Sequence, residues 1–436
     1  MSETVKWGAV VGLGLVGLLG GSAARADDDL GVKIGDGRLH LQLDLQGRYD
    51  TFATLDAANN PVGDFLFDIR PGLKLNIPSP IFAFDLAADA DGILYANNPG
   101  LDRILADGAL AIGINRAGVV GLDIADQFNR SDNNTMVALP FAIISDFNDA
   151  GAKLGIRPGG GALAIEPGYD FIYEHFEPAS TGGFTVCSSG TPLCDPSLAS
   201  LMDFYEHKVS LNLRWRFLPK TALLLGGDYI FVNYLNAGAG PSANAPMDIV
   251  DGTVGVAGLL TSRVEIVLKA GYAQTLLGAS DAAIPGLVTS GENRTFIGQA
   301  QIGYLFSETG NLKVGVVRLL NPAPTLLSDY TDTRPYLAFR WLLAGRLTLH
   351  LDASYDIFNY QLDSEGSPAG RTDGSLRIDV GPEFEILRWL RVAAGYDFTD
   401  LQSTDPAAFG AYHTSSIFGG AGYNNHEVYL RVTLAY

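Results

Sequence analysis

The chain has 436 residues, 47% of them hydrophobic and 18% charged, with a formal net charge of −19. So much apolar content excludes an intrinsically disordered acidic segment. The 48 acidic residues against 29 basic ones, with no Lys/Arg run, exclude a nucleic-acid partner, because a phosphate backbone would be repelled. Fifty-two glycines, 22 phenylalanines and 18 tyrosines beside only 4 methionines and 2 cysteines are the composition of an all-β protein.

The amino-terminal residues read as an export address. Lys6 and Trp7 precede the apolar, glycine-rich run 8–21, and a cleavage-like Ala24-Arg25-Ala26 stands before Asp27-Asp28-Asp29. Residues 1–26 therefore read as a signal peptide, the run being shorter than the roughly 20 residues of a membrane-spanning helix. Its Gly12-Leu13-Gly14-Leu15-Val16-Gly17 matches the dinucleotide-binding fingerprint in form only, since no strand precedes it. Residues 27–38 read as a short periplasmic segment, and 39–436 as a single transmembrane antiparallel β-barrel.

The barrel reading rests on alternation. Leu39, Leu41, Leu43 and Leu45 alternate with His40, Gln42, Asp44, Gln46 and Arg48. The same pattern sets Phe65, Phe67, Ile69, Leu73 and Leu75 against Asp68, Arg70, Lys74 and Asn76. It returns at 347–356, 376–386 and 390–399, so one face is apolar and the other wet. A soluble sandwich alternates too, and the connections separate the two architectures. Eight short links (77–81, 115–118, 157–161, 218–221, 261–262, 307–311, 344–346 and 387–389) alternate with nine long polar ones (56–64, 96–104, 129–149, 178–203, 236–249, 278–293, 322–332, 362–372 and 403–423). That spacing predicts about 18 strands, with 16 admitted because 105–115 and 150–157 are weak Ala- and Gly-rich segments. Short periplasmic turns and long extracellular loops are the rims of a bacterial outer-membrane barrel. Aromatics near strand ends, among them Trp215, Phe217, Tyr229, Tyr234, Tyr336, Trp341 and Trp389, are expected to form interfacial girdles.

The final strand ends in an aromatic residue, with Leu430, Val432 and Leu434 at alternate positions before Tyr436. This resembles the terminal signal by which outer-membrane barrels are recognised by the barrel assembly machinery. Over its length the chain resembles the porin-type outer-membrane proteins of Gram-negative bacteria, with no one family's motif matched. The resemblance implies outer-membrane localisation among membrane lipid and lipopolysaccharide. It also implies passive diffusion of small polar solutes or cations, and it admits a homotrimer. In general porins the loop after the fifth strand folds inward as the constriction. Here that position holds 129–149, whose apolar stretch Met136–Ile144 is odd in an external loop. Asp146 and Asp149 would then face an arginine cluster drawn from Arg48, Arg70, Arg377, Arg391 and Arg431. Lumen-facing Asp44, Asp352 and Asp379 would add to an acid excess that favours cations.

Cys187 and Cys194 lie together in one long loop and are expected to form a disulfide in an oxidising compartment. Six histidines without metalloprotease spacing, and the absence of a Gly-x-Ser-x-Gly elbow or phosphate-binding loop, argue against an enzyme and imply no cofactor or metal. Two other readings stand beside the diffusion channel. One is an uptake channel for hydrophobic compounds; the other is a structural or surface-interaction barrel with little conductance.

Overall fold

The structure is a computed structural model, and it describes residues 30–55, 61–132, 143–178, 200, 202–236, 246–277, 293–322, 329–360, 372–404 and 421–436. Residues 1–26, read as a signal peptide, and the pair Cys187 and Cys194 lie outside the described residues.

Nineteen strands follow one another in a single sheet. They are β1 (Val32–Ile34), β2 (Gly37–Leu55), β3 (Pro61–Ile77), β4 (Phe82–Tyr95), β5 (Arg103–Ile114), β6 (Val120–Asp132), β7 (Ile143–Ile156), β8 (Leu163–Pro178), β9 (Phe204–Leu218) and β10 (Thr221–Tyr234). The order continues with β11 (Met247–Leu259), β12 (Val264–Leu277), β13 (Arg294–Ser307), β14 (Gly310–Pro322), β15 (Asp329–Leu343), β16 (Leu347–Tyr360), β17 (Thr372–Leu387), β18 (Leu390–Ser403) and β19 (Ala421–Ala435). Each strand from β2 to β19 pairs antiparallel with the next. The ring closes where β19 meets β2 in a register running from Glu427 opposite Asp50 to Ala435 opposite Gln42. Eighteen strands thus form a closed antiparallel barrel, and the short β1 folds back on the start of β2, with Val32 opposite Leu39. Closure leaves no unpaired edge, which is what a hydrocarbon environment demands of a β-structure.

The two-residue period sorts the side chains. Along β3, Phe65 and Phe67 are each 56% exposed on the outer face, while Asp64 and Leu66 on the opposite face are almost fully buried. A 13-residue strand such as β6 spans roughly 33 Å when tilted by about 40°, more than the ~25 Å apolar band of an outer-membrane barrel. Outward aromatics gather at both ends. Phe82, Trp215, Phe217, Trp389 and Tyr436 lie at the short-turn end, and Tyr49, Phe65, Tyr229 and Phe296 toward the long-loop end. Tyr234 and Tyr336, expected in this girdle, sit on the inward phase of their strands. Tyr234 is 2% exposed, and the Tyr336 hydroxyl donates to Gln301 Oε1 at 2.6 Å.

All eight short links fall at one end and the nine long ones at the other. In the link between β15 and β16, both Ala344 (φ 47) and Gly345 (φ 75) take left-handed backbone, closed by the Arg346 amide on the Leu343 carbonyl at 3.0 Å. This is the primed-turn geometry that matches the twist of paired strands.

Candidate functional site: the inner wall

The inward phase of the strands builds a wall of paired charges. Arg48 of β2 reaches Glu427 of β19 at 2.9 Å and Asp68 of β3 at 3.1 Å. Arg70 of β3 bonds Asp91 of β4 at 2.6 Å, with Asp89 at 3.6 Å. Further round, Lys208 of β9 meets Asp228 of β10 at 3.2 Å, and Arg334 of β15 bonds Asp332 at 2.9 Å and also Asp356 of β16. Nearer the short-turn end, Arg391 and Arg431 share Glu383, at 3.8 and 3.9 Å. Most of these pairs link one strand to another, so the basic residues stiffen the wall while half-shielding the acids beside them.

Acids nevertheless dominate one sector. Cross-strand registers place Asp352 of β16 opposite Asp379 of β17, Asp379 opposite Asp397 of β18, and Asp397 opposite Glu427 of β19. The row continues from Glu427 to Asp50 of β2 and from Asp50 to Asp64 of β3. Six carboxylates on six adjacent strands lie along one arc of roughly 24 Å. Like charges directly opposite one another destabilise a sheet, and here Arg48 offsets Glu427 while the Asn97 and Asn98 donors offset Asp64. The row's basic neighbours include Arg48 on Glu427, Arg340 near Asp352, and His350, whose Nε2 lies 3.3 Å from Asp379 Oδ1.

The long-loop end of the inner wall is apolar and packed. Leu66, Ile93, Tyr95 and Leu105 of β3 to β5 enclose Leu101, which sits on a short helical turn between β4 and β5. That connection is therefore folded onto the inner wall, and Asp64 fastens it. The fully buried Asp64 carboxylate accepts from the Asn97 amide at 3.1 and 3.2 Å, Asn97 Nδ2 at 2.7 Å and Asn98 Nδ2 at 2.8 Å. A second cluster joins Phe176, Met202, Phe204, Ile230, Val232 and Ile249, capped where Asp203 accepts from the Phe176 amide at 2.8 Å.

The expected constriction is arranged differently. Pairing between β6 and β7 continues to Asp132 opposite Ile144, so Asp146 and Asp149 belong to β7 rather than to a loop. Being even and odd in number respectively, they point to opposite faces. Asp149 shares the inward phase of its partner Ile172, which is 3% exposed. Asp146 faces outward and is bonded to Arg130, not to the predicted arginine cluster. Residues 133–142 of that loop lie outside the described residues. Nor do the five arginines form one cluster: Arg48 and Arg70 take separate acids, Arg391 and Arg431 meet at Glu383, and Arg377 stands between Ser354 and Thr399. Asp44 lies opposite Arg70 and accepts from Gln42 Nε2 at 2.7 Å. Leu430, Val432 and Leu434 lie on the outward phase of β19. Tyr436 exchanges two backbone hydrogen bonds with Leu41 at 3.0 and 2.8 Å. Asp50, Asp64, Glu427 and Arg130 were missed by sequence reading. Asp50 continues the even phase of Asp44 and Arg48, and Glu427 is in phase with Arg431, but only the register sets them side by side.

The closed ring, the apolar outer band and the charged inner wall together define a transmembrane β-barrel of the outer-membrane type. No family model matches the chain, and no curated protein matches it. Among solved structures it is similar to OccAB3 of Acinetobacter baumannii, at 12% identity and a TM-score of 0.45, covering 92% of this chain and 100% of that one. It is also similar to OccK2 (OpdF) of Pseudomonas aeruginosa, at 9% identity and a TM-score of 0.46, covering 93% and 99%. The siderophore receptor PirA of Pseudomonas aeruginosa matches at 9% identity and a TM-score of 0.42, covering 93% and 81%.

Proposed function

We propose that the protein is a porin-like channel of the outer membrane that passes small polar solutes by diffusion and favours cations. The observation that carries this reading is the run of five carboxylates on the inner wall from Asp352 to Asp50. A barrel of 18 strands is too wide for wall side chains alone to fill, and low-dielectric walls focus the field of charges that line an aqueous path. The orientation follows from the connections: short turns face the periplasm and long loops the exterior. The connection between β4 and β5, held down on the inner wall by Asp64, would then narrow the outer mouth.

A hydrophobic-uptake reading draws on the apolar clusters inside that mouth. Their side chains pack against one another with little exposure, as wall-filling cores do. The diffusion reading therefore stands first. Planar-bilayer recording of the refolded protein tests it. Steady single-channel steps are expected, with a reversal potential of cation-selective sign in a KCl gradient. Silence from demonstrably folded protein would overturn the reading in favour of a structural barrel.

A further inference from the structure

The balance of charge on the inner wall reverses along the barrel axis. In the half nearer the long loops two bases are each shared by two acids: Arg48 stands between Glu427 and Asp68, and Arg334 between Asp332 and Asp356. In the half nearer the short turns two acids are each shared by two bases. Glu166, near the start of β8, lies 4.0 Å from both Arg157 and Arg214, and Glu383, near the end of β17, lies 3.8 and 3.9 Å from Arg391 and Arg431. Single strands repeat the order: Asp149 stands on the long-loop side of Lys153 in β7, Glu206 on that side of Arg214 in β9, and Asp397 on that side of Arg391 in β18. The six arginines of these four groups keep between 16% and 27% of their side-chain surface exposed, so their fields reach the aqueous path.

The two zones act in series on every ion that crosses. An acid-rich zone fills with cations and a base-rich zone with anions, because low-dielectric walls focus the field of the excess charge. From Glu206 to Arg214 is roughly 20 Å along the axis at a tilt of about 40°, well beyond the ~10 Å over which 0.1 M salt screens a charge, so neither zone cancels the other. We propose that the pore rectifies: it carries more current when the long-loop side is positive than when it is negative. With that sign, cations enter from outside through the zone that concentrates them and anions enter from the periplasm through theirs, and both accumulate where the zones meet. With the opposite sign each ion must enter through the zone that repels it, and the junction is depleted of both. Acids spread evenly along the pore would select cations without distinguishing the two signs of voltage. The inference rests on the channel reading and adds a direction to it.

Single-channel current–voltage curves in symmetric KCl test it, with orientation read by adding streptavidin to one chamber against a biotin on Glu308→Cys, in the exposed turn between β13 and β14. At about 0.1 M KCl the current with the long-loop side positive is expected to exceed that at the equal and opposite voltage by about twofold, and at about 1 M, where screening shrinks to ~3 Å, the ratio should approach one. The double variant Arg157→Gln, Arg214→Gln, which removes both bases from Glu166, should bring the low-salt ratio toward one. The salt series needs no variant, so a double variant that fails to fold leaves the test in place. Steady steps with equal currents at low salt would overturn this inference alone. So would a larger current at the opposite sign, a ratio that persists at high salt, or a folded double variant that keeps the native ratio. Silence from demonstrably folded protein would overturn the channel reading and this inference with it.

Discussion

Asp64 shows how a single carboxylate shapes the mouth. It is completely buried, and beyond the Phe65 amide every partner named for it comes from Asn97 and Asn98 in the β4–β5 connection. Replacing it with alanine strands those donors, at a cost on the order of 2 kcal/mol. Asp64→Ala is thus expected to lower the urea midpoint of the vesicle-inserted barrel and to expose residues 96–102 to protease. Larger single-channel steps should accompany the cleavage. An unchanged protease pattern would show that Leu101 packing alone holds the connection. The opposite sign is expected at Ala344, whose left-handed backbone (φ 47) suits glycine better than a residue bearing Cβ. Ala344→Gly should stabilise the barrel by roughly 1 kcal/mol, read from the same urea titration, the relief of strain outweighing the added freedom of the unfolded chain.

At the scale of the strand, alternation and connection length were legible, because each reports a local constraint. A strand with one face in lipid and one on the inner wall must alternate, and turns that only join neighbours stay short. The short links read at 77–81, 218–221 and 387–389 accordingly coincide with the β3–β4, β9–β10 and β17–β18 turns. Where polar residues appear on the outer face the same logic misled: Asp126, Arg130 and Asp146 break the alternation, so a stretch that is strand read as loop. Inter-strand register was not legible at all, since it is set by contacts between residues far apart in sequence, and with it went the carboxylate row. Register also explains why certain glycines are fixed. A Cβ at Gly271 of β12 would land on the Gly252 carbonyl oxygen of β11, whereas one at Gly92 of β4 would meet the Ile69 carbonyl oxygen at an ordinary 3.8 Å. Gly271→Val is expected to abolish refolding into a heat-modifiable barrel, and Gly92→Ala to leave the yield near that of the native chain. Equal yields would show that the β11–β12 backbone yields more readily than its spacing implies.

For the whole molecule, the carboxylate row sets stability against transport. Asp397 lies between Asp379 on one side and Glu427 on the other, so it stands in two like-charge pairs at once. Each directly opposed pair costs roughly 0.2–1 kcal/mol, a penalty that a purely structural wall would gain by losing. The paired sectors behave otherwise: removing Arg48 would leave Asp68 and Glu427 facing each other without their shared cation. Asp397→Asn is therefore expected to raise unfolding stability by about 1 kcal/mol while moving the reversal potential in a KCl gradient toward zero. Arg48→Gln is expected to lower stability and move the reversal potential further toward the cation limit, since it unmasks two acids. The two variants thus shift stability and selectivity in opposed directions, which separates a lumen field from a mere change in folding. If Asp397→Asn stabilises the barrel and leaves the reversal potential where it was, permeating ions do not pass this arc, and the path through the barrel lies nearer the wall of β9 to β13.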